Sequence, residues 1–426
     1  AMKLLLSFTL FFWSQCSLGQ NFYLKIEGAS EQERKTIDSI TYEFKHNTVA
    51  SLLKEQQRFE SKLTQQGFLD WLLLEQKKVN DSSFVFEYKL GDFTKNNTIY
   101  IGKLSTDEKS LLQLEQDTLV IAMSEVENFM KNKIALLEKN GYALAILQLI
   151  NQRKIGRNLF SELQLKLNSK RKITDIVIVG YDKFSTGIKK AITKKAKKVT
   201  FNQENLKQIN EEFSKLQFVN QLKYPEILFT TDSTKIFLYL EKSKPNKLDG
   251  FLGFSNDDKS KLTFNGYLDL QLQNILNSGE KFNLYWKNDG NSQTSFNLGT
   301  EIPYLFKSTI GIKVNLRIFK QDSTFQNTIT DLNLGYYFSY NTKAYLGYQK
   351  TNSVDIQNTN SFSLNDFTNT FFTSSFEHVN YATDNFIFPE RTKVIAKVGL
   401  GNRTISGAKS NQFFGQLEFS HYFELN

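Results

Sequence analysis

Six lysines within ten positions, Lys189, Lys190, Lys194, Lys195, Lys197 and Lys198, form the densest run of like charge in the 426-residue chain. Clustered ammonium groups attract phosphate. The run therefore reads as a nucleic-acid contact, as a contact with anionic lipid head groups or an acidic partner, or most plainly as the solvated face of a helix. Other candidate chemistry is sparse. The three histidines, His46, His378 and His421, stand at no metal-ligand spacing from one another or from a cysteine. The sequence contains no Gly-x-Ser-x-Gly elbow and no Gly-x-x-x-x-Gly-Lys phosphate loop. These residues predict no catalytic centre, no metal and no cofactor, and the chain is expected not to be an enzyme.

The elements that must position these residues change character along the chain. Up to about Leu240 the sequence reads as three α+β units of similar length. From Leu248 onward it reads as antiparallel strands that alternate apolar and polar. Leu262, Phe264, Gly266, Leu268, Leu270 and Leu272 fall on one face, with Thr263, Asn265, Tyr267, Asp269, Gln271 and Gln273 on the other. Ile310, Ile312, Val314, Leu316 and Ile318 alternate in the same way with Gly311, Lys313, Asn315 and Arg317. Successive strand side chains point to opposite faces. Many such segments behind a secretion signal predict a transmembrane β-barrel, apolar outside and polar within. Asp249, Asp269 and Glu301 are then solvated lumen charges rather than an acid/base pair. Gly399 and Gly401 mark a bend or a close approach within one strand.

The N-terminus fits a secretory signal over residues 1–19. Met2 and Lys3 make a basic start, residues 4–13 an apolar core too short to span a bilayer as a helix, and Ser17 and Gly19 a small-residue cleavage site before Gln20. The alternatives are a retained anchor helix and a lipoprotein signal ending at Cys16. Trp13-Ser14-Gln15 fits the lipoprotein signal poorly. A secreted chain seldom meets nucleic acid, so that reading of the lysines is set aside. Cys16 is the sole cysteine, so the cleaved chain has neither disulfides nor thiolate sites. A mean hydropathy of −0.40 argues against a helical membrane protein but not against a barrel, whose strands are half polar. The 38 phenylalanines and 18 tyrosines suit strands and interfacial aromatic girdles.

The three units repeat one order: strand, helix, helix, strand, strand. Short strands at residues 23–26, 99–101 and 176–179 are each followed by a glycine, Gly28, Gly102 and Gly180. Helical periodicity comes next, carried by Val49, Leu52, Leu53, Phe59 and Leu63, then by Val126, Phe129, Met130, Ile134 and Leu137, then by Leu206, Ile209, Phe213 and Leu216. The long helices close at Gly67-Phe68, Gly141-Tyr142 and Gln217-Phe218. A near-constant period of this kind signals an array of modules.

Together these residues resemble the BamA/TamA superfamily of outer-membrane assembly proteins, with POTRA repeats before an outer-membrane β-barrel. The best local match is Ile176-Val177-Ile178-Val179-Gly180-Tyr181, with Phe184-Ser185 opening a helix. The passage from residues 237–241 through Pro245 into residues 248–254 is similar to the junction of last POTRA and first barrel strand. Phe388-Pro389-Glu390-Arg391-Thr392-Lys393 is similar to a Pro-led strand entry. The resemblance predicts a signal peptide at 1–19, POTRA 1 at 20–95, POTRA 2 at 96–170, POTRA 3 at 171–244 and the N-terminal part of a barrel, about ten strands, at 245–426. Barrels of the superfamily have sixteen strands and an Arg-Gly-aromatic motif on a lumen loop, whereas no arginine here precedes a glycine. We therefore expect a C-terminally truncated sheet that does not close, the alternative being a complete ten-stranded barrel.

What the resemblance implies is an outer-membrane protein with periplasmic repeats that assembles or translocates other proteins. Its expected partners are unfolded outer-membrane or secreted clients, outer-membrane lipid, and accessory periplasmic proteins or lipoproteins, with no nucleic acid. The alternatives are a two-partner-secretion-type transporter or porin for one cargo, and a soluble β-sandwich adhesin. An edge strand of a POTRA sheet can pair with an extended client by β-augmentation. Candidate edges lie at residues 72–75, 144–148 and 227–229. The client-binding edge proper is expected at Glu226, Ile227, Leu228, Phe229 and Thr230, directly after Pro225. Gly250 and Gly253 mark the strand that the resemblance places at the barrel seam.

Overall fold

The computed structural model describes residues 21–256, 262–290, 293–321, 324–356, 366–382 and 390–423. The expected signal peptide, and Phe388 and Pro389 of the Pro-led segment, lie outside them. The chain forms two units, one up to Ser169 and one from Lys170.

The first unit holds two α/β modules. Module 1 runs β1 (Phe22–Gly28), α1 (Glu31–Asp38), β2 (Lys45–His46), α2 (Val49–Gln66), β3 (Leu72–Asn80) and β4 (Ser83–Lys89). Module 2 runs β5 (Asn96–Tyr100), α3 (Thr106–Leu112), β6 (Thr118–Ala122), α4 (Val126–Lys139), β7 (Ile146–Ile155) and β8 (Asn158–Lys166). Their sheets share one order, β2-β1-β4-β3 and β6-β5-β8-β7, with the first and last strands of each module parallel. The expected order of strand, helix, helix, strand, strand is therefore incomplete for both modules. Each inserts a further strand between its helices, and that strand covers the outer edge of the module's first strand.

Local chemistry sets these elements. Ser30 accepts from the Glu33 N–H while Glu33 reaches back to the Ser30 N–H, a capping box that starts α1, and Ser105 with Glu108 does the same for α3. Gly67 ends α2 at φ 107°, where a side chain would be strained. Leu24, Ile26, Leu52, Phe59, Leu63, Phe86 and Tyr88 form the core of module 1, each large side chain contributing about 1.5–3 kcal/mol by burial. Leu53, expected on the buried face, is exposed, and Glu55 and Gln56 are buried instead. Their side chains have partners: Arg58 pairs with Glu55. Gln56 Nε2 donates to the Tyr88 hydroxyl at 2.7 Å, and that hydroxyl donates to Glu60 at 3.0 Å.

The second unit opens with module 3: β9 (Asp175–Val179), α5 (Thr186–Ala196), α6 (Gln203–Ser214), β10 (Val219–Phe229) and β11 (Thr234–Lys242). Here the expected order holds. The sheet is β10-β11-β9. β10 begins at Val219, several residues earlier than expected, so Pro225 lies inside the strand rather than before it. The ladder to β11 is irregular before and across that proline and regular from Glu226 onward, as an edge strand permits.

Ten strands follow: β12 (Lys247–Asn256), β13 (Leu262–Gln273), β14 (Lys281–Asn288), β15 (Thr294–Ile302), β16 (Ile310–Gln321), β17 (Phe325–Ser339), β18 (Thr342–Asp355), β19 (Phe367–Tyr381), β20 (Glu390–Ile405) and β21 (Ala408–His421). They pair in sequence order as one antiparallel sheet, broken among the described residues only by a 3-10 turn at Leu305–Lys307. Among the described residues β12 and β21 are its two edges, so the sheet is open there, as expected. Register aligns Leu248, Leu270, Leu284, Leu298 and Leu316 in one row across five strands. One face is thus apolar along this row, which continues through Thr330, Lys350 and Thr370 in the later strands. No described helix is long and apolar enough to cross a membrane, which says nothing of crossing by strands.

Candidate functional site

The candidate client-binding residues, Glu226 to Thr230, lie on β10, an edge of the module 3 sheet. Leu222, Tyr224 and Leu228 are exposed along it. The strand is held locally by polar contacts. Around Pro225, Lys223 pairs with Glu226 and lies 3.8 Å above the Tyr239 ring centre, while the Tyr239 hydroxyl donates to Glu226. The hydrogen bond from Lys223, with that from Tyr239, holds the Glu226 carboxyl below the usual carboxylate range. At the far end Arg171 donates to the carbonyls of Thr230 and Thr231 at 2.8 and 3.1 Å. The other two candidate edges, residues 72–75 on β3 and 144–148 reaching into β7, also fall on edge strands. β3 is exposed along its whole length.

β12 leads directly out of module 3 and pairs only with β13, leaving its other edge unpaired among the described residues. Gly250 and Gly253 are the candidate seam residues. A Cβ on Gly250 would sit 2.5 Å from the Tyr267 carbonyl oxygen, and one on Gly253 would strike the Asn265 side chain. Both glycines therefore allow β12 to lie close against β13.

Module 3 is seated on the turns at one end of the large sheet. Asn274 Nδ2 donates to the Tyr181 hydroxyl at 2.8 Å, and that hydroxyl donates to Asn277 at 3.1 Å. Ser185 Oγ donates to the Ser278 carbonyl at 3.2 Å. Gly187 lies against Tyr304, where a Cβ would be 2.8 Å from the tyrosine's own. The Phe218 and Tyr340 rings meet edge to face at 5.6 Å. Glu280 organises the turn by accepting from the N–H groups of Leu276 and Ser278 at 2.6 and 3.1 Å. Tyr181, Ser185 and Phe218 stood in the sequence motifs, but their partners on the sheet did not. Their only signal was the density of Asn, Ser and Gly at residues 274–279.

The six lysines fall on and just beyond α5. Ile188, Ile192 and Ala196 are its buried side, and the lysines stand on the side away from it. Lys195 pairs with Glu212 on α6. Lys189, Lys190, Lys194 and Lys197, with Asp175 of β9, line a cavity of about 430 Å³. Lys194, Lys195 and Lys198 line another of about 230 Å³, facing Tyr304, Tyr336 and Phe338 of the sheet.

The polar face of the sheet carries an ion network. Lys343 bridges Glu301 and Glu377, Lys313 reaches Glu377 at 2.5 Å, and Lys397 reaches Asp331 at 2.8 Å. Glu301 was foreseen on this face. Its partners were not, because only strand register brings them together. Gly399 and Gly401 are a close approach, as one alternative held: the Phe371 and Phe414 rings pack at 4.9 Å where Cβ atoms on these glycines would sit. The His46 Nε2 lies 2.8 Å from the Glu43 carbonyl, and His378 and His421 each contact a threonine of the neighbouring strand at 2.8 Å. No metal-ligand group occurs among the described residues.

No family model and no curated protein matches the sequence. Among solved structures, the chain is similar to BamA from Haemophilus ducreyi lacking POTRA domains 1–3, at 12% identity and a TM-score of 0.40, over 72% of this chain and 69% of that one. It is similar to CdiB from Acinetobacter baumannii at 14% identity and a TM-score of 0.39, over 88% and 73%. It is also similar to the Haemophilus influenzae BamA POTRA3–5 fragment at 10% identity and a TM-score of 0.37, over 52% and 96%.

Proposed function

We propose that this chain is an outer-membrane protein insertion or translocation factor of the BamA/TamA-like superfamily. Its three α/β modules act as periplasmic POTRA repeats, and its ten-stranded sheet is barrel wall. The observation that carries the reading is continuity of free edges. An exposed edge strand, β10, is joined through β11 to β12, the strand whose own outer edge is unpaired among the described residues. A client segment paired along Glu226 to Thr230 is thus one hairpin and a short linker in sequence from an edge within the sheet. Each added backbone hydrogen bond contributes only about 0.5–1.5 kcal/mol net. Several in a row give weak binding that tolerates many sequences, as a handler of diverse unfolded proteins requires.

The test places a photo-crosslinking residue at Leu228 and presents an unfolded outer-membrane β-barrel protein to the chain. The expected result is a crosslink that Ile227→Pro abolishes while circular dichroism shows the modules still folded. Unchanged crosslinking by a folded Ile227→Pro protein would remove β10 as the client edge. Crosslinks confined to one co-purifying protein would favour a dedicated transporter over a general assembly factor.

A further inference from the structure

From the cavity between α5 and the end of β17 we infer a binding site for an anionic phospholipid of the leaflet that faces module 3, an inference that rests on the sheet being membrane wall. Tyr336 and Phe338 lie on the apolar face of β17 with Leu332 and Leu334, and all four are exposed. Register puts them on the face of the leucine row, since Leu334 opposes Ile312 and Tyr336 opposes Ile310. They stand at the end of the sheet where the turns meet module 3. Hydrocarbon-facing aromatics at a strand end mark where lipid tails give way to head groups.

The opposite wall supplies the charge. Lys194 and Lys198 are four residues apart, so they share one side of α5 and its C-terminal extension. Glu212 also lines the cavity and pairs with Lys195. Lys194 and Lys198 form no ion pair among the described residues, so the cavity keeps a net positive charge. Its 230 Å³ accommodates a phosphate group, not a whole lipid. The acyl chains would run along Phe338, Tyr336 and Leu334. A zwitterionic head group brings its own cation to the same lysines and gains less. The site therefore selects head groups with net negative charge, and it does so on a helix already packed against the sheet through Gly187 and Ile188.

The test titrates the full chain in detergent with phosphatidylglycerol and with phosphatidylcholine, reading bound lipid by native mass spectrometry. Two lysines beside one anionic head group should give up to about a thirtyfold preference for phosphatidylglycerol. Lys194→Gln with Lys198→Gln should remove that preference and leave phosphatidylcholine binding as it was. Lys194→Arg with Lys198→Arg should keep the preference, and so should Lys189→Gln with Lys190→Gln in the other cavity. Phe338→Ser should weaken both lipids. Equal affinity of the parent for the two lipids, or a preference that survives the Gln pair, would overturn the site. Displacement of phosphatidylglycerol by equimolar inorganic phosphate would show a phosphate site instead and overturn it too. Binding of neither lipid would sink the membrane reading itself, an outcome distinct from these.

Discussion

Modules 1 and 2 differ from module 3 at two equivalent places, and the first difference bears on what module 3 touches. The first is the start of the first helix. Ser30, Ser105 and Ser185 each cap a helix by accepting from the N–H three residues on. In modules 1 and 2 that third residue is Glu33 or Glu108, whose carboxylate returns to the serine and closes the cap on itself. In module 3 it is Ile188, buried and close to Gly279, and the serine hydroxyl donates instead to Ser278 of the large sheet. The second place is the stretch between the helices. β2 and β6 cover an edge in modules 1 and 2. In module 3 the equivalent stretch makes one bridge, Thr200 to Lys172, and β9 remains an edge. At the first place, where modules 1 and 2 satisfy their own polar groups, module 3 uses the same position for contact with the sheet.

The strongest way to break this comparison is Ile188→Glu, which writes the capping box of modules 1 and 2 into module 3. A carboxylate would then be buried against the turn, at a cost of about 3 kcal/mol or more. The expected outcome is fast hydrogen exchange at residues 274–280 and 303–309, with modules 1 and 2 unchanged. Slow exchange in the variant would mean that Ile188 does not hold the docking.

Gly187→Val tests the same contact by volume. Its side chain would overlap Tyr304, and overpacking of this kind costs about 1–3 kcal/mol. Limited proteolysis near Tyr304 should accelerate, whereas Thr106→Val, next to the serine cap of module 2, should leave that region as it was.

Removing the serines sharpens the contrast. Ser30→Ala and Ser105→Ala should each destabilise their own module by about 1 kcal/mol, seen as faster exchange in α1 or α3. Ser185→Ala should have a similar size, with its effect extending to residues 276–280 of the sheet. An effect confined to α5 would show that the Ser278 contact contributes nothing.

The smallest expected effect concerns pH. Burial pushes the Glu33 carboxyl up, but hydrogen bonds from the Leu90 N–H and from the Ser30 hydroxyl and N–H outweigh it and hold the group below the usual range. A lowered folded pKa contributes stability that is fully present above the ordinary value of 4.5 and is lost as pH falls through the folded value. Glu33→Gln should therefore be less stable than the parent at neutral pH and converge with it in acid. Ile188 leaves module 3 without a matching titration at its first helix. Chemical denaturation of the two proteins across the acid range, followed by module 1 signals, reads the difference.

Much of this architecture is written locally. The alternation of Ile310, Ile312, Val314, Leu316 and Ile318 with polar neighbours fixes a two-faced strand wherever it pairs, because strand side chains alternate. The helix faces of Leu206, Ile209 and Phe213, and the left-handed stop at Gly67, are equally local. β6 left a trace in Thr118-Leu119-Val120-Ile121, three β-branched residues and a leucine between two helices. β2, with two residues, left none. The serine caps, too, stand in the sequence with Glu33, Glu108 and Ile188 three residues on, but the meaning of the isoleucine needs its neighbour.

Tertiary structure alone decided which groups meet across distance. Register, not composition, set Lys343 beside Glu301 and Glu377 and aligned the five leucines in one row. Local preference gave the Lys189–Lys198 run a helix with a wet face. Only the seating of α5 against Tyr304 and Gly279 turned Lys194 and Lys198 toward Tyr336 and Phe338. Side-chain period and capping act over a few residues and are legible in a linear pattern. Contacts such as Tyr181 with Asn274 join positions 93 apart, and no local rule specifies them.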